Sequence, residues 1–421
     1  MHMSRRRFLA AAGCALCTLP ATVHAAPPQR KKLAVITTVY RQYSHSAHIA
    51  GRFLFGYSLH GQPHLPDYEV ASMYVDQAGE DDLSAGLAQK FGFRRCSSIR
   101  EALVLGGNSL AVDGVLLIGE HGDYPVNELG QTLYPRYEMF AEIVAQFRRD
   151  GRTAPVFNDK HLSYSWAKAK QMADWSRELN FPLQAGSSLP VTWRLPELEL
   201  PLETQVETAL AVAFGRPEIY GFHLLETLQC HVERRRGGET GVRKVQAISG
   251  DAVWRAGAAG EWPQELLAAA LDRSHTAEIG TVRDNARDPL LYLIDYRDGF
   301  RASALMLNGH VQDFTFAARI AGRQDPVSTL HYLPERPGVK YFDALTFNIE
   351  RMLAAGKAVV PLDRTLLVSG VLESLLQSRF QNSKPVETPH LALAYRAPAD
   401  SGYLHNPVDP RGQRDLRAAG G

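Results

Sequence analysis

Val112-Asp-Gly-Val-Leu-Leu-Ile118, followed without a break by Gly119-Glu-His-Gly-Asp-Tyr-Pro-Val-Asn127, decides how this chain folds. The first part is an apolar run without alternation, the pattern of a strand buried on both faces, and such strands belong to parallel sheets. Glu120, His121 and Asp123 therefore emerge at the carboxyl end of a parallel strand, where open α/β sheets bind their ligands. Between Gly119 and Arg136 the chain gathers carboxylates, an imidazole, phenols, amides and a guanidinium, interrupted by Gly122, Pro125 and Gly130. A solvated loop needs no such mixture, so the stretch reads as a site; a polar loop capping the next helix is the plainer alternative.

Working outward, Lys32–Ile36 and Tyr68–Val75 read as strands before this one, and Ala154–Phe157 and Pro182–Gly186 as strands after it. Helical periodicity fills the intervals: Ser44 to Phe55, Asp82 to Phe91 before Gly92, Ser98 to Gly106, Tyr134 to Arg149 and Tyr164 to Leu179. Strands alternating with helices predict a parallel, doubly wound, Rossmann-like sheet over residues 30–188. Pro190 to Pro201 is an extended linker. Beyond it, Val242 to Trp254, Leu290 to Tyr296, Arg301 to Leu307 and Asp313 to Arg319 are strand-like runs with short breaks, predicting an α+β domain with a mainly antiparallel sheet over 189–385. Helical patterns at Tyr341 to Ala355 and Leu366 to Arg379 fall in that half, and 386–421 reads as an irregular tail.

The composition, 45% hydrophobic and 22% charged over 421 residues, is that of a globular protein long enough for two domains. Ser4-Arg-Arg-Arg-Phe-Leu9, an Ala-rich apolar run and Val23-His-Ala25 form a twin-arginine export signal over residues 1–25, which implies passage through the twin-arginine machinery to a periplasmic or secreted location. The run is too short for a stable membrane span. Removing Arg5, Arg6 and Arg7 lowers 46 basic residues to 43 against 45 acidic ones, which leaves no basic field for nucleic acid. Cys96 and Cys230 remain, far apart, and read as thiols rather than a disulfide. Glu233-Arg-Arg-Arg-Gly-Gly-Glu239 reads either as an arginine clamp for an anionic ligand or as a solvated turn.

At Val156-Phe-Asn-Asp-Lys-His-Leu-Ser163, with the helix and strand that follow, the order resembles the Gfo/Idh/MocA family, named for glucose-fructose oxidoreductase, inositol dehydrogenase and a rhizopine catabolism protein. In that family a strand ends in Glu-Lys-Pro, and its lysine touches substrate and nicotinamide; Asp159-Lys160-His161 occupies that place. Gly221-Phe-His-Leu-Leu-Glu226 resembles the family's Gly-x-His-x-x-Asp segment, whose histidine acts on the substrate hydroxyl. Leu87-Ala-Gln-Lys-Phe-Gly92 and Pro361-Leu-Asp-Arg-Thr-Leu-Leu367 resemble further family features, and the likeness covers residues 30 to 380. It implies NAD or NADP as cofactor, a carbohydrate or polyol substrate, Asp76 on a ribose, and pairing of copies into a homo-oligomer. One departure opposes the cofactor. Thr37-Thr-Val-Tyr-Arg-Gln42 stands where the glycine-rich turn should be and holds no glycine, so Thr37, Val39 and Gln42 add side chains at the place of the phosphates, while Thr37, Thr38 and Tyr40, with Asp76, are the candidates for holding a cofactor there.

The candidate site follows. Lys160 is proton donor or electrostatic clamp, His223 or His161 a base, and Glu120, His121 and Asp123 complete the catalytic set. Tyr124, Asn127, Tyr134, Arg136, Asn158, His161 and Glu226 are candidates for holding substrate. Glu120, His121 and Asp123, with His161, Glu226 and His231 in reserve, also offer ligands to a divalent metal. Three functions remain open: nicotinamide-dependent oxidation of a carbohydrate or polyol, a metal-assisted hydrolase or lyase on the same scaffold, and a non-catalytic sugar-binding protein.

Overall fold

The computed structural model describes residues 30–334 and 339–405. The export signal lies outside the described residues. Six parallel strands form the first sheet, in the spatial order Arg94–Cys96, Tyr68–Val75, Lys31–Thr37, Gly114–Ile118, Val156–Asp159 and Leu183–Gly186. Counted along the chain, the order reverses beside the first strand, which is the switch point where doubly wound sheets open a crevice. The unbroken apolar runs are explained by burial on both faces. Leu33, Val35, Leu116 and Ile118 pack under the helices His45–Phe55 and Tyr341–Ala355, whereas Ala34, Ile36, Val115 and Leu117 pack under Ile99–Val104, Arg136–Asp150 and Trp166–Glu178.

Helix Tyr341–Ala355 lies against this first sheet, although it follows the second sheet in sequence. Phe342, Leu345, Ile349 and Met352 form the apolar stripe that its face requires.

The second sheet has eight strands in the order Val386–Glu387, Val242–Ser249, Leu290–Tyr296, Arg301–Met306, Val206–Ala213, Phe314–Ile320, Val327–Tyr332 and Trp193–Leu195. Its pairings are antiparallel except for that between Val206–Ala213 and Arg301–Met306. Helices Ile219–Val232 and Leu362–Phe380 cover one face, and Ala252–Ala258 with Gln264–Leu271 cover the other through Val253, Trp262, Leu266 and Ala270. The strand expected over 242–254 stops at Ser249, because Gly250 turns the chain at a φ of +63° and a helix begins at Ala252.

The arginine run fits neither expectation. Arg234 and Arg235 are buried: Arg234 donates to the carbonyls of Leu200, Pro398 and Ala399, and Arg235 pairs with Glu239 and Asp298. Glu233 is bound by Arg364 from the long helix, with both side chains wholly enclosed, and also accepts from the Tyr395 hydroxyl at 2.8 Å. The run is an internal joint that ties residues 395–399 to the body of the second sheet. Cys96 and Cys230 are free thiols, and no described helix is long and apolar enough to cross a membrane.

Candidate functional site

The strand Gly114–Ile118 delivers Glu120 into the interior. Its side chain is 3% exposed, with Lys160 Nζ 2.8 Å from Oε1 and Arg136 Nη2 bound to Oε2. Burial pushes the Glu120 carboxyl up, but the two cations outweigh it and hold the group well below the usual carboxylate range. Gly119 makes this possible: a Cβ there would come within 2.6 Å of Arg136 Cγ, so only glycine lets the arginine stem pass so close.

Lys160 follows the end of strand Val156–Asp159. Its φ is +62°, and His121 has +68°; both lie in the left-handed region that side-chain-bearing residues seldom adopt. Such strain persists where the surroundings impose it and gathers at functional sites. For Lys160 the constraint is a pair of backbone hydrogen bonds with Gly186, of 3.0 and 3.1 Å. The ammonium carries three donors, and Glu120 is its hydrogen-bond partner among the described residues, so two donors remain for a ligand.

Around this ion triad lies a shell of buried polar atoms that have no partner among the described residues: His121 Nε2, His161 Nδ1, His223 Nδ1, Asn158 Oδ1, Asp159 Oδ1 and Glu218 Oε2. Buried polar groups are almost always satisfied, so a cluster of orphans around one lysine marks a place where something polar binds. Burial lowers His121 to about 4; burial with Arg136 lowers His161, and burial with Lys160 lowers His223, both well below the usual imidazole range. Glu218 goes the other way, pushed up to about 7 by burial and by the charge of Glu120. His161 Nε2 stands 3.1 Å from Arg136 Nη1 and 4.0 Å from a Glu218 oxygen.

Several predicted residues sit elsewhere or do other work. Asp123 is exposed, its backbone tied to the Gln77 amide, and its carboxylate does not join the triad. Asn127 shapes its own turn by bonding Leu129, Gln131 and the Gln131 side chain. Arg136 is wholly buried as a partner of Glu120, and Tyr134 lies against its guanidinium at 4.9 Å. Asn158 donates to the carbonyls of Asp159 and His161. Glu226 is buried, accepts from Ser187 N–H at 2.7 Å and is pushed up to about 7 by burial; it lines a small cavity with Gly186, Asn348 and Arg364 rather than joining Lys160.

The metal set is not assembled. Glu120 has both oxygens engaged by cations, Asp123 is exposed, and His231 is paired with His331 at 2.9 Å in the core of the second sheet. Sequence reasoning placed His45 and Asp159 at the same sheet edge but missed their pairing, and it missed Glu218 altogether. Their signal was present only as a carboxylate heading a helix and a histidine just after a Ser cap.

No family model matches the chain, and no curated protein does. Solved structures do. GenD2 from gentamicin A biosynthesis, in complex with NAD, aligns over 85% of this chain and 96% of its own at 14% identity and a TM-score of 0.53. A probable dehydrogenase from Thermotoga maritima aligns over 86% and 99% at 11% identity and 0.53. An oxidoreductase from Agrobacterium radiobacter, in complex with NAD+, L-tartaric acid and magnesium, aligns over 85% and 98% at 12% identity and 0.52. The chain has the fold of the Gfo/Idh/MocA oxidoreductases.

In a Gfo/Idh/MocA fold the first strand-to-helix turn faces the dinucleotide phosphates. Here that turn is filled. Thr37 and Thr38 are wholly buried, their hydroxyls bonded to the carbonyls of Ile118 and Glu120 at 2.9 and 2.8 Å, and Tyr40 is buried among Ile49 and its neighbours. Ser44 caps the helix by accepting from Ala47 N–H at 3.2 Å. Asp76, at the end of its strand, accepts from the hydroxyls of Tyr74 and Tyr124 at 2.8 and 2.7 Å, one on each oxygen.

Proposed function

We propose that this chain is an enzyme that moves a proton on a carbohydrate bearing a carbonyl or carboxyl group, as an isomerase or lyase, without a dinucleotide. The observation that carries the proposal is the Lys160 ammonium, fixed by buried Glu120 and ringed by unsatisfied imidazole, amide and carboxyl atoms. A fixed cation beside a carbonyl oxygen stabilises the enolate that forms when the adjacent C–H proton leaves, and in an enclosed site it does so with little reorganisation. Lys160 and Arg136 are balanced in charge by Glu120 and Asp159, which suits a sugar better than a phosphorylated ligand.

NAD, which the fold suggests, does not fit the residues present. The turn after Thr37 carries buried side chains where a glycine-rich cradle would leave backbone N–H groups open, and the Asp76 carboxylate already accepts two phenols. Hydride transfer is the second reading, favoured by the NAD-bound neighbours of the same fold.

The test is NMR in deuterium oxide on a panel of ketoses, uronic acids, inositols and inososes, with and without NAD. Deuterium entering at the carbon beside the carbonyl, or an unsaturated product, in the absence of nucleotide supports the proposal. Turnover that requires NAD overturns it in favour of hydride transfer, and binding without any turnover overturns it in favour of a sugar-binding protein.

A further inference from the structure

The first helix begins at His45, and that imidazole is built into the cleft rather than spent on the fold. His45 Nδ1 lies 2.6 Å from Asp159 Oδ2, so the contact spans from the start of the first helix to the end of the fifth strand, next to Lys160. Asp159 is buried to 1% exposure, whereas the His45 side chain keeps 16%. The ring is held on two further sides, by His121 at 5.3 Å and Phe342 at 5.1 Å between centroids, both edge-on. Ser44 fixes the helix start beneath it. A carboxylate that accepts from Nδ1–H selects one tautomer and leaves the lone pair on Nε2, which has no hydrogen-bond partner among the described residues. The charged and titratable groups around it are Asp159, Glu120, Lys160, His121 and His223. Burial favours the neutral forms of His121, His161 and His223.

We infer that His45, oriented by Asp159, is the general base of the reaction, and that the helix start that serves phosphates elsewhere in this fold serves proton transfer here. The inference rests on the function proposed above. In the step, the C–H bond beside the carbonyl breaks, its proton passes to His45 Nε2, and its electron pair forms the enolate whose oxygen rests on Lys160. Where a hydroxyl flanks the carbonyl, return of the proton from Nε2 to the former carbonyl carbon, with the hydroxyl proton passing to the enolate oxygen, gives the isomeric aldose or ketose. Alternatively the enolate collapses, the bond to the β-oxygen breaks, and the imidazolium proton goes to the departing hydroxyl. No electron acceptor is needed. Asp159 acts as a positioning residue.

Two measurements test this. In the deuterium assay, His45→Gln is expected to lower exchange by about 10²–10⁴-fold, the usual worth of a general base, with melting unchanged. Retention of exchange to within about threefold overturns the role of His45 and leaves the proposed function standing. The second measurement needs no substrate: diethyl pyrocarbonate labelling followed by peptide mass spectrometry. His45 is expected to react about tenfold faster than His161 or His223, and Asp159→Asn to slow it about as much by stabilising the other tautomer. An unchanged His45 rate in Asp159→Asn, or in Asp159→Ser if the first variant does not fold, overturns the dyad. If wild type processes nothing in the panel, the proposed function fails, and the labelling rates decide on the dyad alone.

Discussion

Replacing Glu120 by Gln removes the anion that Lys160 and Arg136 share and leaves two cations facing each other where side-chain exposure is 4% and 0%. Removing one partner of a buried ion pair costs about 3–5 kcal/mol, because the remaining charge stays desolvated without compensation. Arg136 cannot shed its proton, but Lys160 can, and loss of that proton is the cheapest relief. In the variant the folded chain would therefore bind fewer protons than the unfolded one up to about pH 10.4, so stability should rise with pH across that window. The assay is urea unfolding followed by circular dichroism at pH 7 and pH 9.5. Glu120→Gln should lower the midpoint by about 1 M at pH 7, and the deficit should shrink at the higher pH. A variant within about 1 kcal/mol of wild type at pH 7, or a deficit constant with pH, would refute the ion-triad reasoning. In wild type the sign is the same but the window lies in acid: the Glu120 contribution is present above about pH 4.3 and is lost as pH falls towards its depressed value.

Arg364→Met should cost about 3–5 kcal/mol by stranding Glu233, and Glu233→Gln added to it should restore a large part; a urea double-mutant cycle with no coupling would show the pair to be idle. Glu218 keeps its proton to about pH 7 in the folded chain and to about 4.3 unfolded, so its contribution is full below 4.3 and drains as pH rises. Glu218→Gln should therefore gain on wild type between pH 5 and 8, as read from melting curves, and parallel curves would contradict the buried acid. Millimolar NAD should leave the melting temperature where it is, whereas binding at a hundred times Kd would add about 2.7 kcal/mol and roughly 2 °C or more.

The parallel sheet was legible because its strands are buried on both faces, so their apolar runs cannot be mistaken for loops. The short edge strand Arg94–Cys96 was not, since an exposed, arginine-rich edge carries no such signal. Val206–Ala213 lies at the centre of the second sheet yet reads Val-Glu-Thr-Ala-Leu-Ala-Val-Ala; alanine has little strand preference, and packing alone makes it a strand. Glu120 and His121 were singled out by their place just after a strand end, and Lys160 and His223 by the family resemblance of their segments. Asp123 and Asn127 were not, because sequence order cannot tell which way a loop turns after its first residues. Glu218 became visible only when the start of a helix from the second half came against the same lysine.

The eight-stranded sheet has helices on both faces, and its edges are strands of three and two residues, Trp193–Leu195 and Val386–Glu387. An edge so short offers little backbone for a neighbour to pair with, and a covered face offers no apolar plane to meet its copy. Pairing of copies through this sheet would raise the melting temperature with protein concentration; with its face covered, the expected result is a melting temperature constant from micromolar to millimolar protein.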